Sequence, residues 1–296
     1  DGSEIATGIA AGKHVKHTFT EATHTIGITA IGLGNLKTAA SVELIVSFKA
    51  PQNLVVAMTN STTISRQVDV VATADYATSF DFAPGQDGAE AVSANIGETA
   101  SFKYDAAGTY AVTVTAKGGA IETTSFSQDF EVTALMQPVT SAPTPKDRPS
   151  SSVISVYSSS YAAQAVTNFN GFPDWGQGGQ GSSWAEFDLN GDKMLQYVNL
   201  SYQGNQFDAV DVSAMEYLHL DVWTADVEKL KLFLIQTAIP QETRIEVDLV
   251  ADEWTSIDIP LSSYTDLGQA ITAIDQFKYE ATPWAAGSVF IENIYF

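Results

Sequence analysis

Residues 109–116, Thr-Tyr-Ala-Val-Thr-Val-Thr-Ala, alternate with a period of two, placing Tyr110, Val112 and Val114 on one side and threonines on the other. This pattern predicts an antiparallel strand buried on one face. Leu54–Met58, Val68–Ala72 and Phe130–Ala134 read the same way, separated by Gly and Asn/Asp clusters, and no segment before residue 135 keeps a 3.6-residue apolar period. Beyond residue 150 the predicted strands are longer and more aromatic: Trp184–Asp188, Met194–Tyr202, Tyr217–Trp223, Leu230–Gln236, Arg244–Leu249, Trp254–Ile259, Ile274–Tyr279 and Val289–Phe296. Asn190-Gly191, between the first two, predicts a two-residue hairpin turn. In Tyr217–Trp223, Leu218, Leu220 and Val222 share one face, and Tyr217, His219, Asp221 and Trp223 share the other. Residues 262–271 predict a short helix or an irregular turn. The pattern is all-β throughout, and about eight strands in the last 145 residues predict a jelly-roll sandwich.

Four of the ten prolines fall between residues 138 and 149, among Ser and Thr. Such spacing favours extended backbone with little to bury, so 136–150 reads as a semi-rigid linker. All five tryptophans lie beyond it, as do eight of the eleven tyrosines. The halves also differ in charge: 14 acidic and 7 basic side chains in 1–135, against 20 and 5 in 152–296. The expected organisation is a partial module over 1–50, a full module over 51–135, the linker 136–150 and a C-terminal module over 151–296. The first residues, Asp1-Gly2-Ser3-Glu4, contain neither a basic nor an apolar segment and do not read as a signal peptide, so the chain reads as a piece of a longer one.

Charge narrows the function. A net charge of -21 excludes tracking a phosphate backbone and argues against anionic lipid. With no cysteine there is no disulfide, thiolate metal site or Cys nucleophile. No run of about 18 apolar residues occurs.

Phe102–Ala116 matches His17–Ala30 with one gap, which predicts two copies of one sandwich module. An aromatic, a short turn, Gly108-Thr109-Tyr110 and alternating Val/Thr resemble the penultimate strands of a polycystic-kidney-disease (PKD) domain, an immunoglobulin-like sandwich. Asp1-Gly2-Ser3 matches the end of that family's Gly-Asp-Gly-Ser turn, and Phe80-Asp81-Phe82 matches its Trp-Asp-Phe strand. The second copy replaces the turn by Ala-Pro-Gly-Gln-Asp-Gly, and the first lacks the Gly before Thr23-His24. Such modules are mostly spacers. In the last module, Leu218-His-Leu-Asp-Val-Trp-Thr224, Trp254-Thr-Ser-Ile-Asp-Ile-Pro-Leu261, Gln276-Phe-Lys-Tyr279 and Ile291-Glu-Asn-Ile-Tyr-Phe296 resemble carbohydrate-binding modules of marine Bacteroidota. Such modules follow PKD-like domains on surface glycan-binding lipoproteins or are appended to laminarin-degrading enzymes. The resemblance implies capture of a polysaccharide, the β-1,3-glucan laminarin, beside an outer-membrane glycan transporter complex. It also implies anchoring as an outer-membrane lipoprotein. Two rival readings stand beside it: the targeting half of a secreted glycoside hydrolase, and a structural or adhesive spacer without a sugar site.

A glycan site needs aromatic rings on loops, with polar groups at the rim. Asn168-Phe-Asn-Gly-Phe-Pro-Asp174-Trp175, continuing through a Gly-rich run to Trp184, is the leading loop, with Asp174 as a rim group. The bland alternative is that Trp175 and Trp184 plug the sandwich end. Trp284, between Pro283 and Ala285, is another loop tryptophan, whereas Trp254 begins an alternating strand and reads as core. Trp223, His219 and Asp221 form either a binding floor or a solvated face. Gln276 and Lys278, with Glu280, alternate against Phe277 and Tyr279 and suit sugar hydroxyls equally as they suit solvent. Glu246-Val-Asp248-Leu-Val-Ala251 begins the Glu-x-Asp-x-x-Glu strand of family 16 laminarinases but ends on Ala, so the second carboxylate that glycosidase chemistry needs is missing and no enzyme is expected. Asp188–Asp192 lacks the Gly and Glu of an EF-hand loop. No cofactor is expected to be required. The fold resemblance implies a structural Ca2+ held in part by the last strand, where Glu292 stands in place of the usual Asp and Ser159 replaces a second one.

Overall fold

A computed structural model describes residues 5–174 and 181–296. The chain divides into two compact units, Asp1–Thr133 and Ala134–Phe296. In the first unit, β1 (Ala22–Ile31) and β2 (Lys37–Val46) form an antiparallel hairpin. Its apolar side chains Ile28, Ile31, Val42 and Ile45 are exposed. Seven further strands follow: β3 (Gln52–Asn60), β4 (Gln67–Asp75), β5 (Ala77–Ala83), β6 (Val92–Asn95), β7 (Thr99–Lys103), β8 (Gly108–Gly118) and β9 (Thr124–Val132). They make two sheets, in the orders β3-β4-β7 and β6-β5-β8-β9. The period-two pattern is realised here, for Val112 and Val114 of β8 join Val68, Val70, Phe80 and Phe82 in a dry core. The Tyr110 hydroxyl donates to the Ala106 carbonyl four residues upstream, a tie typical of immunoglobulin-like sandwiches.

The second unit is a two-sheet sandwich. Its strands are β10 (Ser155–Tyr157), β11 (Ser183–Leu189), β12 (Asp192–Val198), β13 (Tyr202–Val210), β14 (Tyr217–Thr224), β15 (Lys229–Gln236), β16 (Gln241–Asp248), β17 (Glu253–Pro260), β18 (Ile274–Thr282) and β19 (Ser288–Tyr295). A short helix, α1 (Ser262–Thr265), precedes β18. A six-stranded sheet runs β11-β12-β19-β14-β17 with β10 on β19, and a four-stranded sheet runs β13-β18-β15-β16. Between them lie Leu218, Leu220, Val222, Leu230, Leu232, Leu234, Phe277, Tyr279 and Ile291. Asn190 and Gly191 both take positive φ at the β11–β12 turn, as a tight hairpin requires. Where the sequence pattern runs Met194–Tyr202 as one strand, the chain instead breaks at Asn199 (φ 48°) and starts β13 at Tyr202.

Residues 136–150, expected as a linker, belong to the second unit and lie on its six-stranded sheet. Trp254 Nε1–H donates to the Thr140 carbonyl at 2.9 Å, Asn293 Nδ2 donates to the Pro143 carbonyl at 3.0 Å, and the Tyr161 hydroxyl donates to the Lys146 carbonyl. The physical reason is the strap's surplus of acceptors. Prolines remove N–H groups but keep carbonyls, so an extended Pro-rich chain presents acceptors to any donor-bearing surface.

Candidate functional site

The four-stranded sheet turns Phe277, Tyr279 and Ala281 of β18 inward, so Gln276, Lys278, Glu280 and Thr282 face outward. Register extends this outer face across the sheet. Gly204, Lys278, Phe233 and Arg244 are level on their four strands, as are Tyr202, Glu280, Lys231 and Glu246 in the next row, and Gln206, Gln276, Ile235 and Glu242 on the other side. Lys278 lies over the Phe233 ring, 3.8 Å from its centroid, and is held by Glu242 and by Glu280 at 3.5 Å. The floor is therefore a fixed set of amide, ammonium and carboxylate groups.

An aromatic stack stands at one end of this face. The Trp284 and Tyr202 rings lie 6.2 Å apart at 29°, and Trp284 is 51 % exposed. Residues 283–287 are tied to the β12–β13 turn, since Ala285 N–H donates to the Leu200 carbonyl and Leu200 N–H to the Gly287 carbonyl. Gly287 takes φ 78°, and a Cβ there would come 2.7 Å from Val227 Cγ2, so glycine sets the course of this loop.

The loop expected to carry the site begins and ends beside the same strand. Asn170 exchanges both backbone hydrogen bonds with Gln206 of β13. Gly171 accepts from the buried Tyr197 hydroxyl at 2.9 Å, which itself accepts from Asn205, while Tyr279 donates to Asn205. On return, the Ser182 hydroxyl lies 2.6 Å from that of Ser201, the residue before Tyr202. Asp174 is exposed. Trp175 lies outside the described residues. Trp184, on β11, is 36 % exposed and stacks on Phe172 at 6.4 Å and 27°, so its ring is partly committed to closing the sandwich edge.

The sequence candidates thus fall on two faces. Trp284, Gln276 and Lys278 come together, and Tyr202, which the sequence does not single out, completes them. Trp223, His219 and Glu292 lie on the outer side of the other sheet. Trp223 is 4 % exposed, packed with Met194, Phe290, Phe187 and Trp254, so its expected part in a binding floor is corrected: its neighbours cover the ring. Trp254 packs in that same outer cluster, not in the central core.

His219 Nδ1 is 2.7 Å from Asp258 and Nε2 is 3.5 Å from the buried Asp221. Burial pushes its pKa down, but the hydrogen bonds to Asp221 and Asp258 outweigh that, so it titrates above its ordinary value. Glu292 is buried, and desolvation followed by the Asp192 and Asp221 charges raises its carboxyl to about 7, while a hydrogen bond from the Ala142 backbone N–H acts in the opposite sense. The structural Ca2+ expected here would meet Glu292 beside Asp192 and Asp221, with N–H donors from Ala142 and Asn293 also aimed at Glu292 and Asp221. Glu246 and Asp248 both bind Lys229, at 3.1 and 3.0 Å, instead of flanking a cleft.

No family model and no curated protein matches this chain. Solved structures similar to it include two variants of a family 29 carbohydrate-binding module. The one complexed with mannohexaose is 11 % identical, with a TM-score of 0.33, covering 49 % of this chain and 89 % of that one. The one complexed with cellulohexaose is 12 % identical, with a TM-score of 0.30, covering 43 % and 80 %. A carbohydrate-binding module of the β-sandwich superfamily, studied for promiscuous specificity, is 12 % identical, with a TM-score of 0.29, covering 84 % and 98 %. At such identities and scores these likenesses do not reach ligand or site residues.

Proposed function

We propose that the C-terminal unit is a non-catalytic glycan-binding module whose ligand is a β-glucan, laminarin, received on the outer face of the four-stranded sheet. The observation that carries this reading is the Tyr202–Trp284 stack, open to solvent at the end of a row of Gln206, Gln276, Lys278 and Glu280. Pyranose rings present C–H faces to aromatic rings and hydroxyls to polar groups, and this face offers both in one line. Each hydroxyl contact is exchanged against water and nets about 0.5–1.5 kcal/mol, so aromatic stacking and chain length supply most of the affinity. The resemblance to Bacteroidota modules supports the remaining context: an outer-membrane-anchored lipoprotein with PKD-like spacers, capturing polysaccharide for a transporter complex. A screen by affinity electrophoresis and calorimetry over β-1,3-, mixed-linkage and α-glucans tests the reading. Laminarin should bind, and Trp284→Ala and Trp175→Ala should each weaken binding by about 30-fold, the roughly 2 kcal/mol of an aromatic hot spot. Unchanged laminarin binding in both variants overturns the site, and no β-glucan binding at all overturns the function.

A further inference from the structure

On the outer side of the six-stranded sheet, a cavity of about 450 Å³ opens where the end of the 136–150 strap meets β14, β17 and β19. Arg148, Glu216, Tyr217, His219, Asp258 and Tyr295 line it. Its volume falls in the range of about 300–1,000 Å³ typical of ligand sites. We propose that it is a second saccharide site, taking a neutral sugar unit at the end of a chain, on the side of the sandwich opposite the Tyr202–Trp284 stack. This inference rests on the glycan-binding reading above.

Three features support it. Tyr217 is 48 % exposed although Leu218 and Leu220 beside it are fully buried, so its ring stands at the cavity rim as a free apolar surface. His219 is fixed behind it, stacked on Tyr295 at 4.6 Å and 22°, with both ring nitrogens directed to carboxylates. The histidine is therefore a positioning residue that orients Asp258, whose side chain remains 66 % exposed and able to accept from two neighbouring hydroxyls. Arg148, without an ion pair among the described residues, supplies donors from the strap side. Charge selects the ligand class. The carboxylates of Glu216, Asp258 and, behind His219, Asp221 outnumber the single guanidinium of Arg148, which disfavours an anionic sugar and leaves a neutral one.

The test uses the whole chain and the β-1,3-linked glucose disaccharide, followed by calorimetry and by the His219 ring signals in NMR. Trp284→Ala should weaken binding at the four-stranded face about 30-fold yet leave unchanged a weak disaccharide event that shifts the His219 signals. Adding Tyr217→Ala should remove that event, and Asp258→Asn, which preserves shape, should weaken it about tenfold, the loss of a charge-assisted bond. With long laminarin, the wild type should cross-link chains in light scattering, and Tyr217→Ala alone should not. If the wild type binds laminarin but Trp284→Ala removes every event and leaves the His219 signals still, the second site is refuted and the first stands. If the wild type binds no β-glucan, both fall together.

Discussion

Glu292 provides a test with a sign. Its carboxyl titrates near 4.5 when solvated and at about 7 in the fold, because it is buried beside Asp192 and Asp221 under the strap. A carboxyl whose folded pKa is raised binds its proton more tightly in the native state. Its contribution is therefore most favourable below pH 4.5, declines as pH rises from about 4.5 to about 7, and is flat above. At about 1.36 kcal/mol per pH unit, that gap amounts to roughly 3 kcal/mol of stability forgone at pH 8. Glu292→Gln mimics the protonated acid: the amide oxygen still accepts from Ala142, and the NH2 can donate to Asp192. Relative to wild type, the variant should be equally stable at pH 4 and more stable by up to about 3 kcal/mol at pH 8. Denaturant unfolding followed by tryptophan fluorescence reads this directly, because all five tryptophans lie in the second unit and report on it alone. Equal stability of the two proteins at pH 8, or a loss in the variant there, refutes the proton-sharing assignment. A gain in wild-type stability on adding Ca2+ at pH 8, lost in the variant, would instead place the expected Ca2+ here.

Three further outcomes are expected. His219→Gln should cost more stability at pH 5.5 than at pH 9 in the same unfolding assay. A histidine pKa raised in the fold stabilises below 6.5, and that stabilisation is lost as pH rises through the folded value. Trp254→Phe keeps the packing but loses the donor to Thr140, so stability should fall by about 1 kcal/mol, and trypsin should cut faster after Lys146 as the strap loosens. Gly287→Ala forces a positive-φ residue and a Cβ 2.8 Å from the Asp226 carboxylate, so stability should fall by about 1 kcal/mol or more and laminarin affinity should drop with the displaced Trp284 loop.

The alternating segments are legible because each strand in them buries one face. Tyr110–Val114 and Leu218–Val222 take the sides their periodicity assigns. β13 is illegible for the converse reason. Its inward positions 203, 205 and 207 are Gln, Asn and Phe; Asn205 is buried to link Tyr197 and Tyr279, and Gln203 is buried beside it, so no apolar rhythm marks the strand. Tyr202, the first residue of that strand, is hidden with it, and with it half of the aromatic stack. Trp223 misleads because alternation separates two faces without saying which is covered. Only the strap and the Met194–Phe290 cluster, both remote in sequence, decide that its outer face is dry.

The strap also bears on where the proposed glycan face lies. A two-sheet sandwich has two outer faces, and sequence alone gives each an array of aromatic and polar groups. The six-stranded sheet has its Trp223, Trp254 and Glu292 region roofed by residues 140–146, whose carbonyls take up the donors a ligand would need. On the four-stranded sheet, Lys278 and Glu280 keep 17 % and 16 % of their side chains exposed and are held by ion pairs to each other and to Glu242, and the Trp284 ring stands at the end of that face. Saccharide hydroxyls can compete for groups held by exposed partners such as Glu242, but not for groups already sealed by backbone. On the proposed reading, chain-long binding therefore falls to the four-stranded sheet. On the other side, recognition is confined to the place where the strap ends at Arg148 and leaves Tyr217 uncovered.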